Sequence, residues 1–388
     1  DVELVVYTPA IPADHQELNF YLSNNYTVVK RSDVLQIITQ DTFNICVAGT
    51  HGKTTISTMI AHLLRDAGEG CNAFLGGISV NYGTNFWHSE NPVSVVEADE
   101  YDRSFLKLSP DIAVVSSMDP DHLDIYGNKA TMEDAFVSFT RGIKKGGKLI
   151  CHLALERGDD LHADQKFTYS LKQNTADIHA TNLRISAGAY LFDVHLPNQQ
   201  INDVCLHVGG LHNVENMLVA IAVATMMEVS AEKIKAAVAN YSGVKRRFEF
   251  VMRDEGSGSV FIDDYAHHPA ELDALISGVR DLYPERQLTI AFQPHLFSRT
   301  RDFAAAFAES LDRADEVVLL PIYAARELPI EGVSNELIFK QIKRARKHLL
   351  SKEELVNWCK EHKPSLFVTA GAGDIDTLRN PIQSNLIG

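Results

Sequence analysis

The stretch AGTHGKTT, residues 48–55, sets a lysine and a run of threonines among glycines, between an apolar run and a helical pattern. Gly49 and Gly52 let a backbone wrap closely around phosphate, and the first amides of the following helix point at the same anion. Thr50, His51 and Thr55 complete the loop. Lys53 has the reach for β- and γ-phosphates, and the Thr54 hydroxyl suits Mg2+. The strict nucleotide-binding pattern has a further glycine where Val47 stands, so this is a shortened G-x-x-G-K-T loop.

A second stretch, VVEADEYDRSFL (95–106), carries Glu97, Asp99, Glu100 and Asp102 at the end of an apolar run. Carboxylates at a buried strand tip are costly without a positive partner. Open α/β sheets place ligand chemistry at the carboxyl ends of their strands, and Glu97 stands at such an end. The run IAVVSSM leads into Asp119, Asp121, His122 and Asp124 in the same way. Mg2+ takes oxygen ligands readily and imidazole less commonly. Alone, either acidic cluster reads as a solvated loop. Beside a phosphate loop, they predict a metal–nucleotide site built by Lys53, Thr54, Glu97 and His122.

Further along, Asp263, Asp264, His267 and His268 follow VFI, His295 and Arg299 follow LTIAFQP, and Tyr323 and Arg326 follow VVLLPI. Each is a plain polar residue at a strand end. Three such tips on one edge imply a second half-site, for another substrate or the other face of a nucleotide. The pair Arg246–Arg247 either clamps phosphate or faces solvent, and GAGD (371–374) is either a glycine turn or a functional loop.

These groups need a scaffold. Apolar runs NICVAG, SVVEA, IAVVSSM and KLICHLA alternate with helical patterns, which predicts a mainly parallel sheet with helices on both faces. Residues 2–38 read as the tail of an α/β unit: strand, turn, helix, short strand, helix. Residues 176–208 alternate in short strands and read as an antiparallel insertion or edge extension. VENMLVAIAVATMMEV is apolar almost all round, hence a buried helix. GVKRRFEF crosses into a second doubly wound unit with strands in VFIDD, LTIAF, EVVLL and LFVTA.

A chain of 388 residues with 45% hydrophobic content and mean hydropathy of −0.10 is an ordinary globular protein of two or three domains. A formal charge of −15 argues against a nucleic-acid partner. No apolar run approaches the ~18 residues that span a bilayer. Five scattered cysteines without a C-x-x-C pair read as reduced and mostly buried, so the expected location is cytoplasmic. The chain opens DVELVVY, without Met and directly in a strand, which suggests that more precedes it.

Taken together, GTHGKTT, EADEYDRSFL, DPDHLDIYG, GLHNVENMLVAIA, GVKRRFE, DDYAHHPAEL, FQPHLFSRTRDF, YAARELPI and GAGDID resemble, in the same order, the Mur ligases. These are ATP-dependent amide-forming enzymes of peptidoglycan synthesis. The resemblance implies a remnant of a UDP-sugar-binding Rossmann-like domain (1–39), a central ATP-binding domain of P-loop type (40–243) and a C-terminal Rossmann-like ligase domain (244–388). It leans to the branch that joins L-alanine to UDP-N-acetylmuramate. There, ATP phosphorylates the lactyl carboxylate and the amine displaces phosphate from the acyl phosphate. By analogy Thr54 and Glu97 hold one Mg2+ and His122 a second. His212, Asn213 and Asn216 face the base, Asp264 the ribose, and Arg247 the nucleotide. Tyr265, His267, His268, His295 and Arg299 shape the amino-acid side, with His267 and Arg299 counted as catalytic beside Lys53, Glu97 and His122. Leu296 departs from relatives that often carry Arg there. The nearest alternative is the ligase that recycles a murein tripeptide onto the same sugar nucleotide. A non-ligating P-loop kinase is more distant, because it leaves the second set of strand tips unexplained. A pure binding module has no use for a metal–phosphate site.

Overall fold

The computed structural model describes residues 2–8, 11–101, 103–120, 123–254 and 256–387. Among them the chain builds three sheets in sequence order. The first is a parallel pair, β1 (Val5–Tyr7) and β2 (Val28–Lys30), with α1 (Gln16–Ser23) between them and α2 (Arg31–Thr39) following. An ion pair from Lys107 to Asp33 ties α2 to the short turn after the acidic stretch.

Ten strands form the second sheet: β3 (Phe43–Ala48), β4 (Asn72–Phe74), β5 (Phe86–Trp87), β6 (Val93–Glu97), β7 (Ile112–Val115), β8 (Lys148–His152), β9 (Gln165–Ser170), β10 (Ile178–Ser186), β11 (Ala189–Leu196) and β12 (Gln199–Leu206). Its helices are α3 (Lys53–Asp66), α4 (Leu123–Tyr126), α5 (Lys129–Arg141), α6 (Leu211–Met226) and α7 (Ala231–Asn240). The order is β12-β11-β10-β9-β8-β7-β3-β6-β4-β5. Strand β3 has no exposed surface from Ile45 to Ala48, as expected of a parallel strand covered on both faces. Its parallel neighbours are β6 on one side and β7 on the other, so the chain reverses direction across the sheet at β3. Such a switch point opens a crevice at the strand tips. Residues 178–206 extend this sheet: β10 pairs parallel with β9, then β11 and β12 return antiparallel. Helix α6 is buried almost throughout and shares one apolar core with α3.

The third sheet runs β13-β14-β18-β15-β16-β17. Its strands are β13 (Glu249–Arg253), β14 (Val260–Asp264), β15 (Leu288–Phe292), β16 (Glu316–Leu319), β17 (Arg346–Leu349) and β18 (Leu366–Ala370), all parallel except β13. Helices α8 (Pro269–Leu282), α9 (Phe297–Leu311), α10 (Glu336–Phe339), α11 (Lys352–His362) and α12 (Arg379–Leu386) accompany it. The tips of β14, β18, β15 and β16 therefore stand side by side. Strands β4, β5, β9, β13 and β17 escaped the sequence reading. Most are very short or polar and half-exposed; β13 has the apolar run Phe250–Met252 but sits in the crossing stretch after GVKRR.

Cys46, Cys71, Cys151 and Cys359 are buried, and no cysteine is in a disulfide among the described residues. Burial pushes the Cys71 and Cys359 thiols up to about 12, away from thiolate chemistry. Among the described residues no helix is long and apolar enough to cross a membrane.

Candidate active site

The phosphate loop leaves β3 at Ala48 and enters α3 at Lys53. Gly49 has φ of 138°, and a Cβ there would stand 2.1 Å from Ser116 Oγ and 2.9 Å from the Ser117 nitrogen. Only glycine fits this approach. The tip of β7 holds the loop from beside it. Thr50 and Ser117 hydroxyls are 2.9 Å apart, His51 N–H donates to Ser117 Oγ at 2.7 Å, and Asp119 N–H donates to Thr50 Oγ1 at 3.2 Å. Ser116 and Ser117 went unnoticed in the sequence; their signal is a hydroxyl pair ending the strand next to a phosphate loop. Thr55 is buried in the first turn of α3. Across the loop, a Cβ on Gly52 would lie 3.2 Å from Asn216 Oδ1, so the start of α6 borders the same space. Asn213 is buried and donates to the Gly209 carbonyl at 2.7 Å, while His212 is exposed at the helix start.

Thr54 and Glu97 meet at the mouth of the crevice. The Thr54 hydroxyl donates to Glu97 Oε1 at 2.9 Å, and Gly76 N–H donates to Oε2 at 2.7 Å. Beside them Lys53 Nζ lies 2.8 Å from each oxygen of Glu100, whose side chain is wholly buried. Burial pushes the Glu100 carboxyl upward, and the Lys53 ammonium opposes it. Glu100 was only one acid of a cluster in the sequence; the structure makes it the partner of Lys53. Its signal was the fourth residue of EADE at a strand tip. His122, with Asp102 and Asp121, lies outside the described residues.

Among the described residues no three His, Cys, Asp or Glu side chains gather as a metal cage. Mg2+ does not need one. It typically takes one or two carboxylates with phosphate oxygens and water, so the adjoining Thr54 hydroxyl and Glu97 carboxylate form a fitting all-oxygen pair.

The second half-site is a row of rings. Tyr265 and His267 centroids are 5.2 Å apart, His267 and His295 5.9 Å, and His295 stacks on Tyr323 at 5.8 Å. Nδ1 of His267 lies 2.9 Å from the Tyr265 carbonyl and 3.3 Å from Glu271 Oε2, both of which accept, so that nitrogen carries a proton and leaves Nε2 as the one that can exchange it. Arg299 donates to His295 Nδ1 at 3.3 Å. Burial first, then Arg299 and His267, hold His295 below its ordinary range, hence neutral near pH 7. His268 points elsewhere, its ring edge-on to Phe303 at 4.9 Å.

Asp264 is engaged by backbone: Phe248 N–H donates at 2.6 Å and Ala266 N–H at 2.7 Å. Desolvation pushes its carboxyl up to about 7. Arg246 is engaged within the protein rather than turned to solvent. It lies 3.8 Å from the buried Asp263, 3.4 Å from Asp376 and 4.9 Å from the Tyr265 ring, and donates to the Gly371 and Gly373 carbonyls. Arg247 is exposed. GAGD is a close-approach loop, since a Cβ on Gly373 would stand 2.4 Å from Gln293 Oε1. Gln293, buried and also unmarked in the sequence, donates to Asp374 at 2.9 Å and accepts from Ile375 N–H at 3.0 Å.

Between the two half-sites opens a cavity of about 510 Å³, lined by Arg31 and Leu35 of α2, Glu97, Asp99 and Phe105 of the central unit, and Arg326 beyond β16. Neither Arg31 nor Arg326 has an ion-pair partner among the described residues.

Two family models match: Mur ligase middle domain over residues 47–224, and Mur ligase, glutamate ligase domain over residues 246–373. The chain is 47% identical over 386 residues to UDP-N-acetylmuramate–L-alanine ligase of Porphyromonas gingivalis, covering 99% of this chain and 84% of that protein. It is 44% identical over 387 residues to the protein of that name from Cytophaga hutchinsonii, covering 99% and 82%. Its fold matches the crystal structure of UDP-N-acetylmuramate–alanine ligase from Thermotoga maritima with a TM-score of 0.81, at 25% identity, over 98% of this chain and 84% of that one.

Proposed function

The chain belongs to the Mur ligase family, and from that premise we infer that it joins L-alanine to the lactyl carboxylate of UDP-N-acetylmuramate, using ATP. The observation that carries this reading is the contact of Thr54 with Glu97 beside Lys53, at the edge of a cavity that Arg326 closes from the other half-site.

In this reading the loop amides and Lys53 hold the phosphates of ATP. Thr54 and Glu97 would hold Mg2+, which when bound neutralises charge on the γ-phosphoryl group. Asn213 and Asn216 border the base side. Arg31 and Arg326 offer guanidinium groups to the anionic sugar nucleotide, aligning its carboxylate with the phosphate loop. Arg299, beside a neutral His295, stabilises negative charge as phosphate leaves. Nε2 of His267 accepts the proton that the incoming amine must shed. Residues 40–243 thus serve the nucleotide half of the reaction and residues 244–388 the amino-acid half, with residues 1–39 flanking the sugar nucleotide. A reaction fed by ATP belongs in the cytoplasm.

The name shared by relatives at 44–47% identity favours alanine over the tripeptide as amine. The test is phosphate release with ATP, Mg2+ and UDP-N-acetylmuramate, with and without L-alanine or L-alanyl-γ-D-glutamyl-diaminopimelate. Release that requires L-alanine, and vanishes in Lys53→Ala, is expected. Preference for the tripeptide would transfer the assignment to the recycling ligase; release without any amine would make the protein an ATP hydrolase, and ADP formed without free phosphate would make it a kinase.

A further inference from the structure

The ion pair of Lys53 and Glu100 carries a consequence for nucleotide binding, and it rests on the reading of the loop as an ATP site. We propose that Glu100 is a positioning residue that fixes where the Lys53 ammonium stands and shares it with arriving phosphates rather than releasing it.

Of the two partners, Glu100 is the immobile one. Its carbonyl accepts the Tyr126 hydroxyl at 2.6 Å and Arg103 N–H at 2.9 Å. The Arg103 guanidinium in turn lies over the Tyr126 ring at 5.0 Å. Lys53 is a flexible four-carbon chain with three donors. Its ammonium is the sole cation in ion-pair contact with the Glu100 side chain among the described residues. Lys53 donates to Glu100 Oε1, and Glu100 Oε2 has no hydrogen-bond donor there, only the ammonium charge at 2.8 Å. A carboxylate with no exposed surface cannot be left unpaired without a large penalty. The ammonium therefore keeps its hold on Glu100 and turns a remaining N–H toward phosphate.

Two opposed effects follow. The carboxylate offsets part of the charge that would attract phosphate, so the ground state binds ATP less tightly than a free lysine would. In exchange the ammonium is held where charge builds in the transition state, which raises turnover. Glu100→Gln keeps the shape and removes the charge. It should lower KM for ATP about fivefold and lower kcat roughly tenfold or more, a split that a merely structural residue would not produce. Glu100→Asp keeps the charge but draws it back by one methylene, and should keep the wild-type KM with a reduced kcat. Should Glu100→Gln fold poorly, Glu100→Asp carries the test alone. Wild-type kcat and KM in the folded variants, or a KM for ATP that rises with the fall in kcat, would overturn the proposal. Lys53→Ala in parallel separates the two readings. If Lys53→Ala is inactive while Glu100→Gln behaves as wild type, only the role of Glu100 falls; if Lys53→Ala turns over normally, the nucleotide site falls as well.

Discussion

Gly76 offers a way to move the Glu97 carboxylate without changing its chemistry. A methyl group at Gly76 would stand 2.4 Å from Glu97 Oε1, 2.5 Å from Oε2 and 2.6 Å from Cδ. Normal contact needs about 3.5 Å, so the carboxylate must retreat by about 1 Å. Gly76 is exposed and not in the left-handed region, so alanine brings neither backbone strain nor a buried clash with main chain. Stability should change by no more than about 0.5 kcal/mol, within about 2 °C in Tm. A misplacement of ~1 Å in a catalytic constellation lowers rate by ~10²-fold, or about 2.7 kcal/mol of barrier. The assay is L-alanine-dependent phosphate release at saturating ATP across a Mg2+ titration. Gly76→Ala should melt like wild type, turn over about a hundredfold more slowly and need more Mg2+ for half-saturation. Gly158→Ala, whose methyl meets only Leu155 at 3.6 Å, is the matched control and should do none of this. Wild-type turnover and Mg2+ dependence in Gly76→Ala would refute the placement of Glu97 at the metal.

Three further outcomes follow from the second half-site and the cavity. Arg246→Met leaves the fully buried Asp263 with the Thr369 hydroxyl at 2.6 Å and Arg379 at 3.9 Å as its partners and frees the Gly371 and Gly373 carbonyls, so urea unfolding should show a loss of about 3 kcal/mol; an unchanged midpoint would contradict a stabilising role for Arg246. Desolvation raises Asp264 to about 7 and Asp263 to about 6, and the folded state therefore holds protons that the unfolded chain has already lost. Their share of stability is present near pH 4 and is lost as pH rises toward 7, with a slope of at most about 1.4 kcal/mol per pH unit for each group. Asp264 faces Asp263, Arg247 and the Phe248 and Ala266 amides, so Asp264→Asn should flatten the urea midpoint between pH 5 and 7; a curve parallel to wild type would sink that account. Arg326→Ala should raise KM for UDP-N-acetylmuramate roughly tenfold and leave KM for ATP unchanged; a wild-type KM for UDP-N-acetylmuramate would remove Arg326 from the sugar-nucleotide side.

Local patterns made the scaffold legible: β3 is apolar on both faces, α6 is apolar all round, and GTHGKTT stands between strand and helix. The elements that escaped are those without a pattern, such as the two-residue β5 and the charged edge strand β17. In the candidate site, residue type and strand-end position single out Lys53, Thr54 and Glu97, which the fold brings together, and His267, His295 and Arg299, which it sets in one row. They could not reveal partnerships made across the sheet. Glu100 is 47 residues from Lys53 in sequence and touches it only because β6 lies beside β3. Ser117 reaches the loop from 66 positions away through the β3–β7 pairing. Residue type left Arg246 open between clamping phosphate and facing solvent, and it is a buried aspartate and two carbonyls that engage it. Type is local and register is not.

The parallel pair β1–β2 is the smallest of the three sheets, with three residues per strand, and Val6, Phe20, Leu22, Ile37 and Ile38 are exposed around it. Helix α2 is tied to the central unit through few groups, the Lys107–Asp33 ion pair among them, so residues 28–39 should open locally at a free energy below that of global unfolding. It also supplies Arg31 and Leu35 to the cavity wall. A ligand that seats there closes the opening reaction by mass action. Amide exchange in residues 28–39 then becomes a gauge of sugar-nucleotide occupancy, slowing in proportion to bound ligand while exchange in β3 and α6 stays as it was.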